Sequence, residues 1–336
     1  MGAFRQHVAI DLGTATFLMY VEKKGITVNQ SSLVTTRRNT DRITALGDES
    51  KNMLGRINKD NEVIQPICGG VISRYTLTKK MLSYYLNKSI KSPLHRIFKP
   101  EAMIAIPVHT TNVQKRAVER AAQEAGCSRV FMIEEPLAAA IGAGLDVSKP
   151  EGRMIVDIGG GTTDIAVLSY NGVVVGKSLR VAGDAFDAAI TQFIKNKYSI
   201  QISPLEAENI KKKLVCLYPS YEQPDMEIHG SNVVNGEYEI HTITSEEMME
   251  PLMETVVPIL DCIRDILEET PPDLVGDIKK NGILMTGNGS LLRGFDELIH
   301  KSTGVDAIVA EEPGLCVVRG AYKVLANMTE EQKSKA

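Results

Sequence analysis

Ala9-Ile10-Asp11-Leu12-Gly13-Thr14-Ala15-Thr16 and Val156-Asp157-Ile158-Gly159-Gly160-Gly161-Thr162-Thr163-Asp164 are two versions of one design. Each runs from an apolar, β-branched stretch into Asp, an apolar residue, glycine and a hydroxyl residue, and then into a second apolar stretch. That pattern reads as strand, tight turn, strand. Glycine lets the N–H groups of the turn approach phosphate oxygens where a Cβ would stand in the way. Threonine adds a hydroxyl donor, and Asp at a strand end can hold Mg²⁺, directly or through water. A single Asp in such a place can simply cap a turn. Two hairpins, one in each half of the chain, point instead to a nucleotide held between two related domains.

The totals fit that reading. A chain of 336 residues exceeds one ordinary core, so two domains are expected. Its 43% hydrophobic and 24% charged residues are globular values, and a net charge of −4 argues against a general nucleic-acid binder. Cys68, Cys127, Cys216, Cys262 and Cys316 are scattered without a CxxC pair, which speaks against a disulfide framework or zinc site. No apolar run approaches the ~18 residues of a membrane span, and no signal-peptide pattern opens the chain. The expectation is a cytoplasmic protein.

Along the chain, strands are expected over 7–10, 17–21, 25–28, 102–107 and 130–133, with helices over 76–86, 112–126 and from 134 to 144. The second half repeats the order: the hairpin around Asp157, a strand over 173–181, and helices over 184–198 and 204–215. Residues 217–240 read as polar and turn-rich. Thr244-Ser245-Glu246-Glu247 opens a long helix with a capping-box-like start. Strands over 281–286 and 305–310 and a helix over 315–326 complete the pattern, which implies mixed sheets covered on both faces. The first domain is placed at 1–145 with a small insert at about 31–65. The second is placed at 146–326 with a small subdomain at about 182–243, and 327–336 is a tail. The helix at about 315–326 is expected to pack back on the first domain.

These residues resemble the actin superfamily, and more narrowly the MreB-type bacterial actins, over roughly residues 7–326. The glycine hairpins carry the superfamily resemblance. Glu134-Glu135-Pro136-Leu137-Ala138-Ala139-Ala140-Ile141-Gly142-Ala143-Gly144 and Thr270-Pro271-Pro272-Asp273-Leu274 are the narrower marks. The resemblance implies an α/β actin-like ATPase fold, with two related domains, each a mixed sheet flanked by helices, and ATP or ADP with Mg²⁺ in the cleft. It assigns Asp11, Gly13, Thr14 and Ala15 to one phosphate loop, and Asp157, Gly159, Gly160, Gly161, Thr162 and Thr163 to the other. Asp11 and Asp157 would hold the metal through water. Glu208 and Lys211 would reach ribose and base, Gly287, Asn288 and Gly289 would lie against the adenosine, and Gly183 and Asp184 would sit at the cleft mouth. Glu135 is the candidate for orienting the attacking water, with Glu134 as the alternative and Thr162 beside them.

The resemblance further implies slow ATP hydrolysis, head-to-tail filaments and association with an anionic membrane surface and membrane proteins. Leu94, Ile97 and Phe98 form the candidate membrane loop, with a packed surface turn as the other reading. Asn288 and Asp164 depart from the family pattern, which has Gly and Glu there. A non-polymerising ATP-binding adaptor and a small-molecule kinase of the same superfamily are the alternatives; for the kinase, no separate substrate motif is visible.

Overall fold

The central strand of each half is the one that ends in the Asp-x-Gly turn. The computed structural model describes residues 6–90, 99–218 and 224–335. In the first five-stranded sheet the order is Arg129–Glu134, Glu101–Ile106, His7–Leu12, Thr16–Val21, Gly25–Ser31. In the second it is Ala307–Val309, Ile283–Thr286, Arg153–Ile158, Thr163–Ser169, Gly172–Leu179. Both sheets follow one plan. Three strands form an antiparallel meander, and two parallel strands then add on the other side of the first. A strand in the middle of a covered sheet must be apolar on both faces. Val8, Ala9 and Ile10, like Ile155 and Val156, are accordingly fully buried.

Each half also carries a small sheet near the cleft. One pairs Val34–Arg37 with Ile43–Leu46 and Asn61–Ile64; the other pairs Ile200–Gln201 with the hairpin Asp225–Asn232 and Tyr238–Thr244. That hairpin corrects the turn-rich reading of 217–240. Along it only Ile228 and Ile243 are fully buried, so there was almost no apolar alternation to find. A second correction concerns Asn281. It ends a helix, Pro272–Asn281, and the chain turns at Gly282 (φ 79°) before the strand begins at Ile283. The long helix runs Ser245–Glu269, with Thr244 and Glu247 forming the reciprocal cap.

The expected tail is not one. Glu330–Lys335 is a helix, started by mutual hydrogen bonds between Thr329 and Gln332. Lys333 is buried and donates to Glu101 Oε2 (2.8 Å) and to His7 Nε2 (3.0 Å). It is therefore committed to the first sheet and unavailable to a membrane headgroup. Leu94, Ile97 and Phe98 lie outside the described residues.

A third core joins the halves. Ala9, Met103 and Ala105 from the first sheet and Ile155, Ala166 and Leu168 from the second close around two helices, Glu135–Gly142 and Cys316–Asn327. The helices touch through glycine. A Cβ at Gly320 would lie 1.8 Å from the Ala138 carbonyl oxygen, and one at Gly142 would lie 1.8 Å from that of Cys316. Neither backbone can give way without shifting its helix. Gly320→Ala should therefore destabilise the fold by about 3 kcal/mol, the scale of overpacking, read as a lower urea midpoint. An unchanged midpoint would mean that the helices do not meet this closely.

Candidate functional site

The two glycine turns meet. Gly159 N–H donates to the Thr162 carbonyl (2.9 Å), closing the second turn. A Cβ on Gly160 would lie 2.2 Å from Ala15 Cβ, and one on Gly161 would lie 2.5 Å from Thr14. Only glycine lets the backbone of the second turn come this close to the side chains of Thr14 and Ala15. Thr14 is buried, and its hydroxyl accepts the Gly70 N–H (3.0 Å). Ser32 Oγ donates to the Gly13 carbonyl (2.7 Å), fixing the first turn from behind. Thr162 is buried beside the turns, but the Thr163 hydroxyl donates to Val181 O (2.6 Å) and so steadies the strand rather than offering a donor to a ligand.

Four carboxyl groups converge next to these turns. Strand register sets two of them: Asp157 stands directly opposite Asp164 on one side and Thr286 on the other. Thr286 Oγ1 donates to Asp157 Oδ1 (2.6 Å), and Val108 N–H donates to Asp164 Oδ1 (2.9 Å). Asp164 Oδ2 is buried with no hydrogen-bond partner. Asp11 ends the matching strand of the first sheet, and Glu135 opens the Glu135–Gly142 helix, where Pro136 fixes the first turn. Burial drives all four pKa values upward. Asp11 is pushed to about 7 by burial and the Asp157 charge. Asp157 rises to about 6, with the Thr286 hydrogen bond pulling against burial. Asp164 rises to about 7, opposed by the Val108 N–H. Glu135 is held well above its ordinary value by burial and then by Asp164, Asp11 and Asp157. Glu134, one residue earlier, ends the Arg129–Glu134 strand and is not among the groups acting on this cluster.

The remaining residues assigned from the sequence ring the cleft. Gly183 and Asp184 begin a helix, and their N–H groups donate to the carbonyls of Gly159 (3.2 Å) and Gly160 (2.7 Å). Lys211 Nζ donates to the Gly183 carbonyl (3.0 Å) and to Asp187 Oδ2 (2.8 Å). Glu208 lies one turn before Lys212 and is bonded to it (2.7 Å). Gly287 and Gly289 pack on Ile158, the neighbour of Asp157, too closely for any Cβ, while Asn288 sits against Gly314.

Sequence reasoning missed three contributors. Thr286 is one; its only signal was the strand leading into Gly287-Asn288-Gly289. The others cross the cleft. Gln65 Nε2 donates to both the Thr14 carbonyl (3.0 Å) and Asp184 Oδ2 (3.2 Å), and Lys51 Nζ pairs with Glu208 Oε2 (2.5 Å). Neither residue belongs to a phosphate-loop pattern, so nothing marked them.

Among the described residues, no three acidic, histidine or cysteine side chains are arranged to ligate a metal directly. The cluster is instead a set of carboxyl groups beside the glycine turns whose ionisation is opposed by burial and by one another. Raised carboxylate pKa values favour the fold when protonated, so this contribution is lost as pH rises from about 4 through about 7. Asp11→Asn should therefore raise the melting temperature of the chain in EDTA by roughly 2–4 °C at pH 8 and leave it unchanged at pH 4. Equal effects at the two pH values would remove the cluster as the cause.

A family model described as MreB/Mbl protein matches residues 5–333. The cell shape-determining protein MreB of Escherichia coli (strain K12) is 41% identical over 328 residues, covering 96% of this chain and 94% of that protein. The cell shape-determining protein Mbl of Bacillus subtilis (strain 168) is 39% identical over 332 residues, covering 99% of each. Crystal structures of MreB5 of Spiroplasma citri superpose with a TM-score of 0.94 bound to AMPPNP and 0.91 bound to ADP. Their identities are 31% and 32%, with 99% and 97% of this chain covered and 99% of theirs in both cases.

Proposed function

The chain belongs to the MreB/Mbl family of bacterial actins, and we propose that it is an ATP-hydrolysing filament former whose cleft closes on nucleotide. The observation that carries this reading is the contact of the two glycine turns beside four carboxyl groups, of which Glu135, Asp157 and Asp164 are buried and Asp11 is half-buried. A polyphosphate lying between the turns meets N–H groups from both halves, with the hydroxyls of Thr14 and Thr162 beside them. ADP and AMPPNP bound to MreB5 of S. citri support a nucleotide in this place.

In this reading Asp11 and Asp157 would hold Mg²⁺, which would supply positive charge against the phosphates and carboxylates. The donor set fits, being two carboxylates at strand ends with burial-raised pKa values and so in need of a counter-charge. Glu135 orients the attacking water toward the terminal phosphate and receives its proton as the water adds. Burial and the neighbouring acids hold its pKa up, which suits a group that is to receive a proton. Glu208 and Lys211 face the nucleoside, with Gly287, Asn288 and Gly289 behind it and Gly183 and Asp184 at the mouth.

Closure brings the two small subdomains together and sets the shape that the next copy recognises. A head-to-tail contact of this kind does not close on itself and propagates as a filament. The cell shape-determining roles carried by the names of the E. coli and B. subtilis relatives fit such a polymer, held at the inner face of the membrane. Among the described residues no helix is long and apolar enough to cross a membrane. The proposed attachment is therefore a surface one.

Glu135→Gln should slow phosphate production about 100-fold while leaving the Kd for ATP within about threefold. The pairing of a fluorescent phosphate sensor with equilibrium titration of labelled ATP reads both. Unchanged turnover in the variant would remove Glu135 from the reaction.

A further inference from the structure

Lys51 and Glu208 come from opposite halves of the molecule and meet over the mouth of the cleft. Lys51 lies on a short helix, Asp48–Asn52, that is locked to the small sheet of the first half. Asp48 Oδ1 accepts the Ser31 N–H (2.9 Å), and the fully buried Ser50 accepts the Thr35 N–H (3.0 Å) through its hydroxyl. Glu208 lies on the Pro204–Lys213 helix, capped by Ser203 and anchored by the buried Ala207 and Ile210. Both side chains thus project from fixed supports.

The Glu208 carboxylate is divided between two lysines: Oε1 accepts from Lys212 of its own helix, and Oε2 from Lys51 across the cleft. Burial works against its ionisation, but the two lysines hold its pKa down at about 2. A carboxylate has about four acceptor positions, so two remain for hydroxyl donors. The pair is partly exposed, at 31% for Lys51 and 22% for Glu208. An ion pair with that much solvent contact contributes little to stability, and its geometric effect is the more consequential one.

We propose that Lys51 is a positioning residue for sugar recognition: from the first half it fixes the Glu208 carboxylate of the second so that its free lone pairs meet the ribose hydroxyls. This rests on the nucleotide reading of the cleft. Without Lys51, Glu208 is bonded through one oxygen only, to Lys212, and swings with that flexible side chain. Because the pair spans the halves, it forms only when the cleft is closed. Reading the sugar and closing the cleft are then one event, and a ligand without ribose hydroxyls gains less from closure. Gln65, bonded to both Thr14 and Asp184, makes the parallel bridge on the phosphate side.

The test compares the affinities of ATP and 2′,3′-dideoxy-ATP, each with Mg²⁺, for the full chain and for Lys51→Ala and Lys51→Arg. Lys59→Ala, an exposed lysine on the same subdomain, serves as the control. The unaltered chain and the control should prefer ATP by about tenfold, the scale of hydroxyls read by a charged acceptor. Lys51→Ala should reduce that preference to about twofold, and Lys51→Arg should restore most of it. A purely structural role would weaken both ligands equally and leave the ratio unchanged, which overturns the proposal. An unaltered chain that binds ATP without preferring it to the dideoxy form also overturns it, since Glu208 would not be reading the sugar. Failure of the unaltered chain to bind ATP at all would instead overturn the nucleotide reading, and this proposal with it.

Discussion

Gathering Asp11, Glu135, Asp157 and Asp164 in one place, three of them buried and Asp11 half-buried, is the constraint on which the rest of the molecule turns. Carboxylates removed from water and set beside one another cannot all ionise without a compensating charge. The fold brings them together nonetheless, on rigid supports: two central strands, the neighbouring strand and the first turn of a helix. Such an arrangement costs stability unless a counter-charge balances it. In the proposed reading, backbone N–H groups of the adjacent turns favour the negative charge of a phosphate chain, and the acids would favour its cation.

The duplicated sheet explains how one chain builds this site. Each half places the same strand at its centre and ends it in the same turn, and the third hydrophobic core presses the halves together so that the turns touch. Glycine is required where the halves approach most closely: Gly160 and Gly161 lie against the side chains of Ala15 and Thr14 between the turns, and Gly142 and Gly320 lie against backbone between the helices. The core below the cleft is apolar and buried, whereas the contacts above it, Lys51 with Glu208 and Gln65 with Asp184, are polar and partly exposed. Such a molecule is expected to hinge at its base and to open and close at its mouth.

What the sequence made legible follows from the same physics. The two Asp-x-Gly turns were visible because phosphate contact and tight turning restrict residue identity at consecutive positions. The capped helices from Asn112 and Ser245 were visible because caps and apolar periodicity are local signals. The hairpin Asp225–Asn232 with Tyr238–Thr244 was hidden because it buries so little. The Glu330–Lys335 helix was hidden because a buried Lys333 cannot be told from a solvated one until Glu101, far away in sequence, is beside it. Lys51 and Gln65 were missed for the same reason: their partners, Glu208 and Asp184, are brought to them only by the fold.

The proposed coupling of nucleotide to assembly is tested most directly by high-speed sedimentation with electron microscopy, in ATP, in ADP and without nucleotide, beside Asp157→Ala. Closure by ATP predicts filaments that pellet in ATP, diminish in ADP or without nucleotide, and are lost in the variant. A chain that binds ATP yet stays in the supernatant in every state would contradict it.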